Sequence, residues 1–218
     1  MATTILISRV LGSQLRGKID GRRHFGALCA ALSDVTPGGV VLLDLQGVDD
    51  VSASWIAAAL VPLLSWAALP EHELYPVIVG VVADERKWPD EFELVAERSG
   101  VVFLVRGDPP DSGTRMVGDL DQILLQTLRA VQIHGEVTGA ELKRLHPDQP
   151  IGPSAWNNRL KDLHTKRLLR RVTRGREQIY SVVSEVNLDG ATGPGVADQQ
   201  LPTPDAEGGT GLPAPHTV

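Results

Sequence analysis

Two short runs constrain this chain most: VVLLDL (40–45) and YPVIVGVV (75–82). A strand with one wet face alternates apolar and polar residues, whereas these are apolar almost throughout. The first suits a strand buried on both faces, and the second reads as a further buried strand. Neither approaches the roughly 18–20 residues of a membrane span.

Around them, strand-like and helix-like stretches alternate. Residues 3–8 (TTILIS) read as a first strand. Residues 11–32 have helical character, with Leu15, Ile19, Phe25, Leu28 and Leu32 as apolar positions and Gly21 and Gly26 as breaks. Pro37, Gly38 and Gly39 mark a turn before 40–45. Ser52 or Ser54 caps a helix running to about Ala68, with Trp55, Leu60 and Leu64 inside. Residues 88–99 form an amphipathic helix with Pro89 in its first turn and Phe92, Val95 and Ala96 facing in. Gly100 closes it, and VVFLV (101–105) is the last strand of the series. Alternation of this kind implies an α/β layer on a mostly parallel or mixed sheet.

The periodicity changes after residue 118. In DLDQILLQTLRAVQIHG (119–135), Leu120, Ile123, Leu124, Thr127, Leu128 and Val131 make one helical stripe, and Gly135 ends it. Thr138 and Glu141 form a capping box that starts a second, short helix, stopped by Pro147. A third helix, PSAWNNRLKDLHTKR (153–167), turns Trp156, Leu160 and Leu163 inward and puts Ser154, Asn157, Asn158, Lys161 and Thr165 on its other faces. LLRRVTRGREQIYSVV (168–183) reads as two strands joined at Arg174-Gly175-Arg176.

Charge singles out the same region. Residues 143–176 hold ten basic and two acidic side chains, a balance of +8 in a chain whose net charge is −6. Phosphate neutralisation accounts directly for a basic patch on an acidic protein.

Three helices followed by a basic hairpin resemble the winged helix-turn-helix superfamily of DNA-binding domains, most closely over NNRLKDLHTKRLLRRVTRGREQIYSV (157–182). The connector HPDQPIGPS (146–154) departs from that pattern, being longer and richer in proline than a simple turn. The resemblance implies a third helix in the major groove of double-stranded DNA and a wing on backbone or minor groove. Asn157, Asn158 and Lys161 are then the base-edge readers. Ser154, Thr165, Lys166, Arg170 and Arg171 hold phosphates, and Arg174 and Arg176 flank the wing tip. Trp156 belongs to the core. A homodimer on paired half-sites fits such a domain, although no coiled-coil heptads mark an interface.

A second resemblance covers about 1–106. VVLLDLQGVDDVSASWIAAAL (40–60), followed by YPVIVGVVADERKWPDEFELVAERSGVVFLV (75–105), is similar to a STAS-like domain, the fold of anti-sigma factor antagonists. It implies a sensor, or a module docking a kinase-type ATPase or another protein. Those antagonists carry a phosphorylated serine after an aspartate, and Ala53 stands at that place here. The fold then survives without the switch. Asp49, Asp50, Ser52 and Ser54 remain a candidate partner or regulatory loop, since a phosphate on either serine would suit a helix N-terminus; a plain N-cap is the simpler role.

The expected organisation is therefore a STAS-like α/β domain at 1–106, a linker at 107–118 short enough for the domains to touch, a winged helix-turn-helix at 119–184, and an acidic Gly/Pro-rich tail at 185–218. The tail carries five acidic residues and no Lys or Arg, and its composition predicts disorder. Competition between this tail and DNA for the basic surface is the livelier alternative to a solubilising role.

No Gly-rich phosphate loop appears, and the six histidines match no metal-ligand spacing. Asp44, Asp49 and Asp50 read as a polar loop, His164 as solvent-facing or near phosphate, and Cys29 as a small buried residue. We therefore expect no catalysis, no cofactor and no metal. The start MATTILIS lacks the pattern of a signal peptide, and one cysteine excludes an internal disulfide, so a cytoplasmic location is expected. The leading expectation is a DNA-binding transcriptional regulator. The rival is a protein-interaction adaptor in a partner-switching system that binds no DNA.

Overall fold

The computed structural model describes residues 2–81, 88–107 and 113–188. Most of the expected tail and part of the expected linker lie outside these residues. The chain is an α/β fold with a mixed, mostly parallel central sheet and, among the described residues, seven helices.

The sheet takes β1 (Thr3–Leu6), β3 (Val40–Asp44), β5 (Tyr75–Val81), β6 (Phe103–Gly107) and β7 (Thr114–Val117), neighbouring one another in that order. The first four are parallel, and β7 returns antiparallel to β6. A small second ladder pairs β2 (Gln14–Leu15) with β4 (Asp50–Val51). Helices α1 (Ile7–Leu11), α2 (Lys18–Leu32), α3 (Ala53–Ala67) and α4 (Trp88–Ser99) connect these strands.

Successive side chains of a strand point to opposite faces, and here the two faces belong to two different cores. Val41 and Leu43 of β3, Ile78 of β5, Phe103 and Val105 of β6 and Val117 of β7 pack with Leu28, Leu32, Trp55, Ile56 and Phe92 from α2, α3 and α4. Val77, Val102 and Leu104, together with half-buried Val40, Leu42, Val79 and Met116, pack with the C-terminal elements. These are α5 (Gln122–His134), α6 (Gly139–Leu145), α7 (Pro153–Thr165), β8 (Leu169–Arg174) and β9 (Glu177–Val182). The central strands read as continuously apolar because both faces are covered, and the second cover comes from the second half of the chain.

Several sequence expectations need correction. The first strand stops at Leu6, where α1 begins. Helix α2 runs unbroken through Gly21 and Gly26. Gly21 is there for packing, since a Cβ on it would approach Ala58 Cβ to 2.7 Å and the Trp55 carbonyl oxygen to 3.1 Å. Ile19, one of the apolar positions of that stretch, is 86% exposed, and Ile123, expected on the apolar stripe of α5, is exposed. The strand expected at 101–105 is β6, shifted two residues on, and it is not the last of the sheet. Much of the expected linker is sheet: Gly107 ends β6, and Thr114–Val117 is an edge strand whose Val117 is buried. The ordered chain also passes Ser184. Val186 bridges to Thr114, the Asn187 N–H donates to the Thr114 carbonyl at 2.8 Å, and Val186 and Leu188 enter the second core.

Other expectations match. Helix α4 spans the expected residues, with Phe92, Val95 and Ala96 buried. Ser52 is the N-cap of α3, and both halves of the Thr138–Glu141 capping box are present on α6.

Candidate nucleic-acid interface

Gly152 precedes α7 without a side-chain cap, and Pro153 opens it with a fixed φ and no N–H to satisfy. Burial of Trp156, Leu160 and Leu163 fixes the rotation of the helix. Ser154, Asn157, Asn158, Lys161 and Thr165 are consequently exposed. Helix α6 packs against α7. The proline-rich connector between them is tied back by Lys143, whose ammonium donates to the carbonyls of Pro147 (3.1 Å) and Gln149 (2.7 Å).

Close packing of the two helices depends on Gly139. A Cβ there would overlap the Asn157 amide and lie 2.9 Å from the Pro153 carbonyl oxygen. Asn157 therefore leans on α6, while Asn158 and Lys161 lie further round the helix.

Strands β8 and β9 form a hairpin in which Arg174 faces Glu177, with Gly175 at φ +64° in the two-residue turn. A left-handed conformation at that position suits glycine. A feature missed in the sequence reading joins this hairpin to α6. Val137 pairs with Tyr180, exchanging backbone bonds of 2.9 and 2.8 Å. The start of α6, the exposed face of α7 and the hairpin turn thereby surround an open cleft of about 410 Å³. Asn157, Asn158, Lys161, Arg176, Glu177 and Tyr180 are among the residues that line it.

The ten basic side chains do not form one continuous surface. Lys161, Lys166, Arg170 and Arg176 make no ion pair among the described residues, and Lys161 and Arg176 are well exposed. Arg174 is exposed but pairs with Glu136 at 3.0 Å, a surface contact worth about 0–1 kcal/mol. Arg159 lies over the Trp156 ring, 5.2 Å from its centroid.

Arg171, expected on phosphate, turns toward the sheet layer and reaches Glu73 at 3.4 Å. It belongs to a polar joint between α7, β8 and the start of β5. His164, expected solvent-facing or near phosphate, is buried there. Its Nδ1 lies 3.2 Å from the Leu169 carbonyl and 3.4 Å from the Tyr75 hydroxyl, and its Nε2 lies 3.7 Å from Glu73. Burial pushes its pKa down against the opposing Leu169 carbonyl contact, and the neighbouring charges of Arg167 and Arg171 push the same way.

Arg167 is only 5% exposed. Its Nη2 donates to the Ala68 carbonyl at 3.3 Å, and its guanidinium carbon sits 5.2 Å from the Tyr75 ring centroid. Its Nε and Nη1 have no partner among the described residues. A buried orphan donor costs about 1–3 kcal/mol. Among the described residues, the two non-glycine positions with positive φ are Glu73 (+44°) and Arg167 (+62°), both in this joint. Such backbone is sterically disfavoured for any residue bearing a Cβ.

The candidate loop of the sheet layer is already internally paired. The Ser52 hydroxyl accepts the N–H groups of Trp55 (3.3 Å) and Gly17 (3.2 Å) and meets the Ser54 hydroxyl at 3.2 Å. Asp50 is ion-paired with Arg16, and Asp49 is exposed. The Ala53 N–H, at the start of α3, donates to the Glu91 carboxylate at 2.7 Å. A carboxylate thus already occupies the helix N-terminus that a phosphate would seek.

Cys29 is half-buried, and burial raises its pKa. Among the described residues, no group of three or more potential ligands could hold a metal ion, and no helix is long and apolar enough to cross a membrane. Comparison with protein-family models, with curated proteins and with solved structures found no match.

Proposed function

We propose that residues 119–188 are a winged helix-turn-helix unit that binds double-stranded DNA, and that the STAS-like sheet layer beneath it senses a signal or docks a partner protein. One observation carries this reading. Asn158 and Lys161 of α7 share an open cleft with Arg176 of the hairpin turn. In this reading α7 enters the major groove. Asn158 bonds adenine through its amide, Lys161 reaches guanine, and Arg176 meets the backbone beside the groove. Lys166 and Arg170 hold phosphates, and Asn157 serves first to seat α7 on α6. The protein acts as a transcriptional regulator without catalysing a reaction, and two copies would occupy paired half-sites.

The partner-switching alternative needs a modifiable loop at the start of α3. Ala53 and the Glu91 carboxylate on its N–H weigh against that reading. Selection of bound fragments from a random duplex pool tests the choice. The DNA reading expects an enriched sequence whose preference relaxes in Asn158→Ala. A pool that emerges unenriched, alongside capture of an ATPase by the full chain, would favour the adaptor.

A further inference from the structure

The basic segment that follows α7 is split between two directions. Lys166 and Arg170 make no ion pair among the described residues, whereas Arg167 and Arg171 turn onto the sheet layer. Arg171 is held there twice, its backbone N–H donating to the Tyr75 hydroxyl at 3.3 Å and its guanidinium pairing with Glu73 at 3.4 Å. The joint is nonetheless not closed for good. Its backbone is left-handed at both Glu73 and Arg167, two Arg167 donors lack partners among the described residues, and the Arg171 side chain remains 30% exposed. Water or another anion can therefore reach the pair from outside.

We propose that Glu73 is an internal competitor for phosphate: its carboxylate holds Arg171 inward, and the guanidinium reaches the phosphate backbone of a bound nucleic acid only when that pair is released. Docking of the α7–β8 corner on the sheet layer and engagement of a polyanion then oppose each other. The sheet layer thereby gains a lever on the DNA surface, because anything that strengthens the Glu73–Arg171 pair removes one cation from it. This inference rests on the duplex reading above for the identity of the polyanion, not for the existence of the competition.

The test compares the full chain with Glu73→Gln, which keeps the side chain's shape, and with Glu71→Gln, which removes an exposed charge two residues away without touching the joint. Duplex affinity is measured over a series of salt concentrations. Each phosphate contact adds about 0.9 to the slope of log affinity against log salt. Glu73→Gln is expected to steepen the slope by about 0.9, Glu71→Gln to leave it unchanged, and Arg171→Ala in the Glu73→Gln background to cancel the gain. Equal slopes for Glu73→Gln and Glu71→Gln would overturn the competitor. Should the full chain bind no duplex, the function proposed above fails, and the joint is read on a sulfated-polysaccharide column instead. There, later elution of Glu73→Gln than of Glu71→Gln, abolished by Arg171→Ala, supports the competition, and co-elution of the two overturns it.

Discussion

The hydroxyl of Tyr75 accepts the backbone N–H of Arg171 at 3.3 Å, joining the first residue of a central strand to the basic hairpin 96 positions later. The same hydroxyl lies 3.4 Å from Nδ1 of His164. One phenol oxygen thus orients both the last turn of α7 and the first strand after it. Tyr75→Phe keeps the ring and removes that oxygen, leaving a part-buried N–H without its acceptor. We expect a loss of about 1–3 kcal/mol in denaturant unfolding, with the transition still single, since the two cores share one sheet.

Gly139 sets the separation of α6 and α7. Gly139→Ala would press a methyl group into the Asn157 amide and the Pro153 carbonyl. Overpacking of this kind costs about 1–3 kcal/mol. Calorimetry should show a lowered Tm, and shortening the clashing side chain with Asn157→Ala should recover part of it.

Two buried imidazoles give stability a pH dependence. Burial lowers the pKa of both His24 and His164 from the ordinary 6.5. His24 accepts the Trp55 indole N–H at its Nδ1, 3.0 Å away, so protonation there would break the bond. The unfolded chain takes up these protons first as pH falls. Stability from these groups is therefore complete above about pH 6.5 and is lost below it, toward the depressed folded values. Thermal melts between about pH 8 and 5 should show Tm falling on the acid side, and His24→Gln should flatten part of that fall.

The two arginines of the hairpin tip should behave differently. Arg174 is paired with Glu136, whereas Arg176 makes no ion pair among the described residues and lines the cleft. Under the duplex reading, Arg176→Ala weakens every duplex alike and lowers the salt slope by about 0.9, while Arg174→Ala changes it less. Fluorescence titration of labelled duplex reads both. Asn158→Ala should instead leave the slope alone and reduce discrimination between sites by about 1–3 kcal/mol.

Local patterns carried much of the fold. Periodicity located α4 to the residue and gave the inward faces of α5 and α7, apart from Ile123, while hydrogen-bond chemistry located both caps. Long-range relationships were not legible. VVLLDL shows that both faces of β3 are covered, but nothing in those letters says that Leu128 or Trp156 belongs to the second core. The sequence 106–118 looks like a linker from its Gly, Pro and Asp content, yet Thr114–Val117 finds an open sheet edge beside β6. The candidate site was legible in part. The rotation of α7 follows from Trp156, Leu160 and Leu163, so the exposure of Asn158 and Lys161 was readable in advance. Counting charge could not reveal that Arg167 and Arg171 face inward, because their partners, Ala68 and Glu73, are about a hundred residues away. A left-handed arginine after a helix carries no sequence mark that would have warned of it.

The most direct test is a titration of the full chain against labelled duplex fragments across a range of salt, with Lys161→Ala and Arg176→Ala combined as the comparison. Duplex binding is expected to weaken steeply as salt rises, with the double variant losing about 0.9 from the slope, the one phosphate contact of Arg176, together with the site preference that Lys161 supplies. Binding that ignores salt, or a double variant indistinguishable from the parent chain, would contradict the duplex reading.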